Sequence, residues 1–178
     1  MVVNAEFRSR LLEKVGFGGG CHWCTEGVFQ ALRGVDHVDQ GYIQSESPAD
    51  TWSEGVTVRF NPSIISLTTL SEVHLRTHSA GRARTLRSKY RSAIYVVEAS
   101  QRREAESAVA QFVAESGMTV QTRVLQLVSF KPSETHYQNY YRTDPNRPFC
   151  RRYIDPKLDY IRQHFAAISI TAADKATP

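Results

Sequence analysis

The sequence predicts an α+β fold, a two-layer sandwich in which helices pack on one mixed β-sheet. Three observations carry that expectation. Segments of strand and helix periodicity alternate in the order strand, helix, strand, strand, helix, strand, helix, strand. In the strand-like segments apolar residues recur at every second position, as at Val56, Val58 and Phe60, which gives one buried face. Over 178 residues, 41% are hydrophobic and 22% charged, enough apolar material to offset the entropy of ordering the chain. The order suits two βαβ-type, ferredoxin-like units sharing a sheet. The length predicts one domain over 1–178, with its core at about 14–165 and fraying tails at 1–10 and 171–178.

The elements follow in order. Lys14 to Gly18 reads as a short buried strand running into the turn Gly18-Gly19-Gly20. Thr25 to Leu32 places Val28, Phe29 and Leu32 on one helical stripe, stopped at Gly34. His37 to Ile43 and Gly55 to Phe60 are the next strands, the latter broken by Asn61-Pro62. Ser66 to His78 spaces Leu67, Leu70 and Val73 as a helix does. Ser92 to Val97 is a further strand, Ser100 to Ser116 an Ala-rich helix, and Val120 to Phe130 alternates again as one strand. An aromatic-rich tail closes the chain.

Several function classes are excluded on composition. No apolar run approaches the roughly 20 residues of a membrane helix. The N-terminal stretch is charged and lacks a continuous apolar region, so a cytoplasmic location is expected. The net charge of +4 is mildly basic. The densest run, Arg82, Arg84, Arg87, Lys89 and Arg91, is interleaved with a single aromatic, Tyr90, and reads as a solvated loop; no nucleic-acid partner is expected. Three cysteines in a chain able to build its own core point to catalysis or metal binding, not a disulfide framework.

The segment Gly18-Gly19-Gly20-Cys21-His22-Trp23-Cys24-Thr25-Glu26 carries the chemistry. Three glycines ahead of a helix allow a sharp turn and leave helix-start amides free, an environment that favours negative charge. A cysteine there is expected to be partly thiolate at neutral pH. Cys24, three residues on, is within reach for a disulfide across one turn. A second reading is a zinc site or a non-catalytic relative in which Cys21 and Cys24 join His74 and His78, whose i, i+4 spacing suits a metal.

The motif Gly20-Cys21-His22-Trp23-Cys24-Thr25-Glu26 resembles the signature of A-type peptide methionine sulfoxide reductases, and five later segments resemble the family in order. These are Leu32 to Val35 with Gly41-Tyr42; Ser53 to Ser66; Lys89 to Tyr95; Phe130 to Tyr141; and Asp144 to Cys150. The resemblance implies reduction of methionine S-sulfoxide, free or peptide-bound, by a thiol mechanism with no cofactor. It implies that Cys21 is the nucleophile, that His22 and Trp23 hold the substrate methyl group, and that Glu54 and Tyr90 serve the sulfoxide oxygen. Cys24 and Cys150 are both candidates for the resolving cysteine. Thioredoxin or another dithiol is the implied reductant, and a monomer is expected. This chain departs from the family pattern in having His22 for Phe, Thr85 for an aspartate and a shortened stretch between Tyr42 and Glu54.

Overall fold

A computed structural model describes residues 12–171. The expected fraying of residues 1–10 and 171–178 lies, apart from Thr171, outside the described residues. One six-stranded mixed sheet has the order β5-β4-β1-β3-β2-β6. Its strands are β1 (Glu13–Gly18), β2 (Val35–Gln44), β3 (Ser53–Phe60), β4 (Ala93–Val96), β5 (Arg123–Gln126) and β6 (Ser129–Pro132). The helices are α1 (His22–Gln30), α2 (Leu67–Thr77), α3 (Ala99–Ser116), the short α4 (Tyr140–Thr143) and α5 (Asp155–His164). β4 and β5 run parallel across α3; the other neighbours are antiparallel. No helix among the described residues is long and apolar enough to cross a membrane.

Alternation decides which face is which. Val15, Phe17, Val56, Val58, Ile94 and Val96 point to one side, where they meet Val28, Phe29, Leu70, Val73, Leu158 and Ile161 from the helices. This is the two-layer arrangement that the periodicities predict. The helix ends follow from local chemistry. The Ser66 side chain accepts from the Thr69 N–H, 3.1 Å, to start α2. Glu98 and Gln101 form a capping box for α3, which Gly117 ends at φ 67°.

On the opposite face the structure departs from the sequence expectation. Val120 to Phe130 is not one strand. β5 lies on one edge of the sheet and β6 on the other. Between them the Leu127 N–H donates to the Val96 carbonyl, 2.9 Å, and the next N–H, of Val128, to the Gln44 carbonyl, 3.1 Å. Two consecutive residues thus bridge the ends of β4 and β2, so the sheet rolls. Leu125, Leu127 and Phe130 all pack against Ile43, Ala93 and Tyr95 inside the roll. The alternating pattern therefore records a continuous buried face across two strands.

Arg91 closes this face. It is 1% exposed, and its guanidinium donates to the carbonyls of Leu86 (2.5 Å), Ala49 (2.8 Å) and Thr51 (2.6 Å). Carbonyls in place of a carboxylate satisfy its planar fork and fix the loops around Glu54. The tail also departs from expectation, because it contains α5. Leu158 and Ile161 are buried on one stripe of that helix, and Pro156 stands in its first turn.

Candidate active site

β1 delivers the chain to the site. Gly19 has φ +148°, a conformation that side chains rarely adopt, and a Cβ there would overlap the His78 ring. Cys21 follows as the N-cap residue of α1. Its thiol is lowered below the ordinary cysteine range. The first cause is a hydrogen bond from the Cys24 thiol; the backbone N–H groups of Trp23 and Cys24 add to it, while burial and the Glu54 charge oppose it. Cys24 is raised, because it donates to Cys21 and is buried beside it. The two sulfurs therefore stand side by side at the start of α1, with Cys21 the more easily ionised of the pair.

Glu54 reaches the same point from the second position of β3, where the register sets it opposite Tyr42 of β2. It is 6% exposed. Its Oε2 accepts from the His22 backbone N–H at 3.2 Å and lies 3.8 Å from His22 Nε2; its Oε1 pairs with Lys89 Nζ at 3.2 Å. The Glu54 N–H donates to the Lys89 carbonyl, 2.7 Å. The His22 ring is buried and fixed, with Nδ1–H donating to the Gly41 carbonyl at 2.9 Å and its edge against Tyr42.

Trp23 projects toward the tail. Its ring stacks on Tyr140 with centroids 4.1 Å apart and planes 2° apart, and Phe149 meets it edge-on at 5.5 Å. Buried Glu26 holds this wall in place by accepting from the Asn139 and Tyr140 N–H groups at 2.7 and 2.9 Å, and from Gln40 at 3.3 Å. Burial pushes the Glu26 carboxyl up, and those hydrogen bonds pull it down. Gln138 pins the same segment to β2 through the Gln40 N–H (3.0 Å) and carbonyl (2.8 Å).

Tyr90 is exposed and lines the mouth above Gly20 and Cys21, with Lys89 Nζ 5.3 Å from its ring centre. Cys150 is fully buried beneath the aromatic wall; its thiol donates to the Asp144 carbonyl at 3.6 Å and is raised by burial. The structure thus gathers Cys21, Cys24, His22, Trp23 and Glu54 at one point, sets Tyr90 at its rim and places Cys150 in the core behind it.

The four side chains of the zinc alternative are not grouped as ligands. Cys21, Cys24, His74 and His78 line one cavity, yet among the described residues no three such side chains are grouped to hold a metal. His74 Nε2 bonds the Gly18 carbonyl at 2.8 Å, while His78 uses Nδ1 on the His74 carbonyl (2.5 Å) and Nε2 on Ser92 (2.7 Å). Sequence reasoning gave no role to Tyr137, Tyr140, Phe149, Lys89 or Lys157. The signal for the first three was the aromatic density of the tail; a lone lysine carries none.

Comparison with known proteins follows the same line. The sequence model of the family described as peptide methionine sulfoxide reductase matches residues 13–169. The peptide methionine sulfoxide reductase MsrA of Chromobacterium violaceum is 31% identical over 171 residues, covering 87% of this chain and 97% of that protein. Among solved structures, reduced Mxr1 from Saccharomyces cerevisiae superposes with a TM-score of 0.68 at 17% identity, over 77% of this chain and 88% of that one. Mxr1 in complex with Trx2 gives 0.59 at 19% identity, over 74% and 86%.

Proposed function

Because the chain belongs to the peptide methionine sulfoxide reductase family, we propose that Cys21 is its nucleophile, Glu54 its proton donor and Cys24 its first resolving cysteine. The protein is an oxidoreductase that reduces methionine sulfoxide by a thiol-dependent reaction. The observation that carries the assignment is the convergence of a lowered thiol, a nearly enclosed carboxyl and an aromatic wall at the start of α1.

A sulfoxide sulfur is a poor electrophile until its oxygen is protonated. Glu54, ion-paired with Lys89 at rest, takes up a proton from solvent as the sulfoxide enters and passes it to the oxygen, and Tyr90 and Lys89 stand at the mouth as further donors to the oxygen. Trp23, stacked on Tyr140, offers an apolar face to the methyl group; fixed His22 narrows the opposite side. The Cys21 thiolate takes the oxygen and becomes a sulfenic acid as methionine leaves. The Cys24 thiol then condenses with it, giving a disulfide and water, and an external dithiol restores both thiols. Thioredoxin suits that role, since the related Mxr1 is known in complex with Trx2. The substrate is free or peptide-bound methionine sulfoxide, and the chain acts as a monomer.

Two experiments test this reading. With dithiothreitol as reductant, the S epimer of a methionine sulfoxide is reduced and the R epimer is not; equal turnover of both would remove the stereochemical assignment. The second concerns resolution. Cys24 sits one turn from Cys21 and closes with little chain ordering, whereas Cys150 is buried and bonded to Asp144. One equivalent of sulfoxide without reductant is expected to give a Cys21–Cys24 linkage by peptide mapping. In Cys24→Ser a sulfenic acid is expected to accumulate with Cys150 still free. A Cys21–Cys150 linkage forming there at the wild-type rate would reverse the order.

A further inference from the structure

Beside the cysteine pair lies a cavity of about 120 Å3, walled by Cys21 at the N-cap of α1, Cys24 of α1, His74 and Thr77 of α2, His78 and Lys157. Lys157 enters from the first turn of α5, partly buried, and donates to the Thr77 carbonyl at the end of α2. An ammonium withdrawn from water ordinarily meets a carboxylate. No Asp or Glu lines this cavity, and Lys157 makes no ion pair among the described residues. The acidic groups around the cavity are the two thiols.

We propose that the Lys157 ammonium is the counter-charge of the Cys24 thiolate in the step that closes the Cys21–Cys24 disulfide. This rests on Cys24 as the resolving cysteine. The other charges around it are consistent with the pairing. His74 and His78 are held neutral by burial, His78 down to about 4. Arg84 lies across the same cavity, and Cys150 acts on Cys24 with the opposite sign to Lys157. Burial lowers Lys157 itself, and the Cys24 charge counters that lowering.

The pairing makes resolution follow oxidation. In the resting protein the Cys24 proton is held toward the Cys21 thiolate, so Cys24 stays a thiol. Once Cys21 is a sulfenic acid, that acceptor and its like charge are gone, and Lys157 remains to favour the Cys24 thiolate. The thiolate attacks the Cys21 sulfur, the S–O bond breaks, and the departing hydroxide takes up the proton Cys24 released. Atoms balance as sulfenic acid plus thiol to disulfide plus water. When a dithiol later attacks Cys21, the same ammonium stabilises Cys24 as the leaving thiolate.

A structural role for Lys157, tying α5 to the end of α2, is the competing account, and two measurements separate them. In a single turnover without reductant, Lys157→Met is expected to slow disulfide closure about tenfold more than it slows methionine release. Sulfenic acid should be trappable in the interval, and Lys157→Arg should restore closure. In Cys21→Ser protein, the pH midpoint for Cys24 alkylation is expected to rise in Lys157→Met and stay put in Lys157→Arg. An unmoved midpoint overturns the pairing. A moved midpoint with unchanged closure keeps the pairing but overturns Cys24 as resolver. Equal slowing of both steps, unrescued by arginine, assigns Lys157 to the scaffold and overturns the proposal.

Discussion

Cys21→Ser is expected to lower sulfoxide reduction by more than about a thousandfold in a protein that still folds. The hydroxyl that replaces the thiol is not ionised at neutral pH and has no oxidation state to receive the oxygen, so both the attack and the product of the first step are lost. Folding is spared because Cys21 precedes α1 as its N-cap residue and contributes no side-chain cap hydrogen bond. The same position predicts selective chemistry in the wild-type chain. The Cys21 thiolate persists below the ordinary thiol range while Cys24 and Cys150 are raised. As pH falls from neutrality, alkylation by iodoacetamide should become confined to Cys21 before it stops. Cleavage and mass mapping read this directly. Residual turnover at a tenth of wild type in folded Cys21→Ser, or first modification at Cys150, would place the nucleophile elsewhere.

Much of this site is local, and what is local was legible. The glycine turn, the helix start and the Cys21/Cys24 spacing lie within seven residues, so the sequence alone predicts a thiolate beside a thiol. Glu54 was found through resemblance, because its approach to His22 depends on the pairing of β3 with β2 that no short window contains. The aromatic wall was harder still. Tyr140 meets Trp23 because Glu26 accepts the two N–H groups that start α4. The division of Val120 to Phe130 between opposite edges escaped the alternation rule because both halves fill the same rolled face. Lys157 was invisible for the opposite reason: the role proposed for it rests on the lack of a carboxylate beside it among the described residues, and an absence in three dimensions leaves no mark on a sequence.

Glu54→Ala is expected to lower kcat/KM at least about a hundredfold, with Glu54→Gln losing less. The carboxyl is almost fully covered, with one oxygen on the His22 N–H and the other on Lys89. Its charge acts on Cys21, which it raises. Glutamine keeps a hydrogen-bond donor for the sulfoxide oxygen but has no proton to give, so it preserves part of the electrostatic stabilisation and none of the acid catalysis. Alanine loses both and leaves the His22 N–H without its acceptor, at a stability cost of about 1 kcal/mol that a melting curve can bound. The sign of a second effect isolates the proton. The Glu54 charge raises Cys21, so removing it should lower Cys21 further and shift its alkylation to lower pH in both variants. Activity is therefore expected to collapse while the nucleophile becomes more ionised, the opposite of what a damaged thiolate would give. Turnover within twofold of wild type in both variants would show that the sulfoxide oxygen receives its proton from another group.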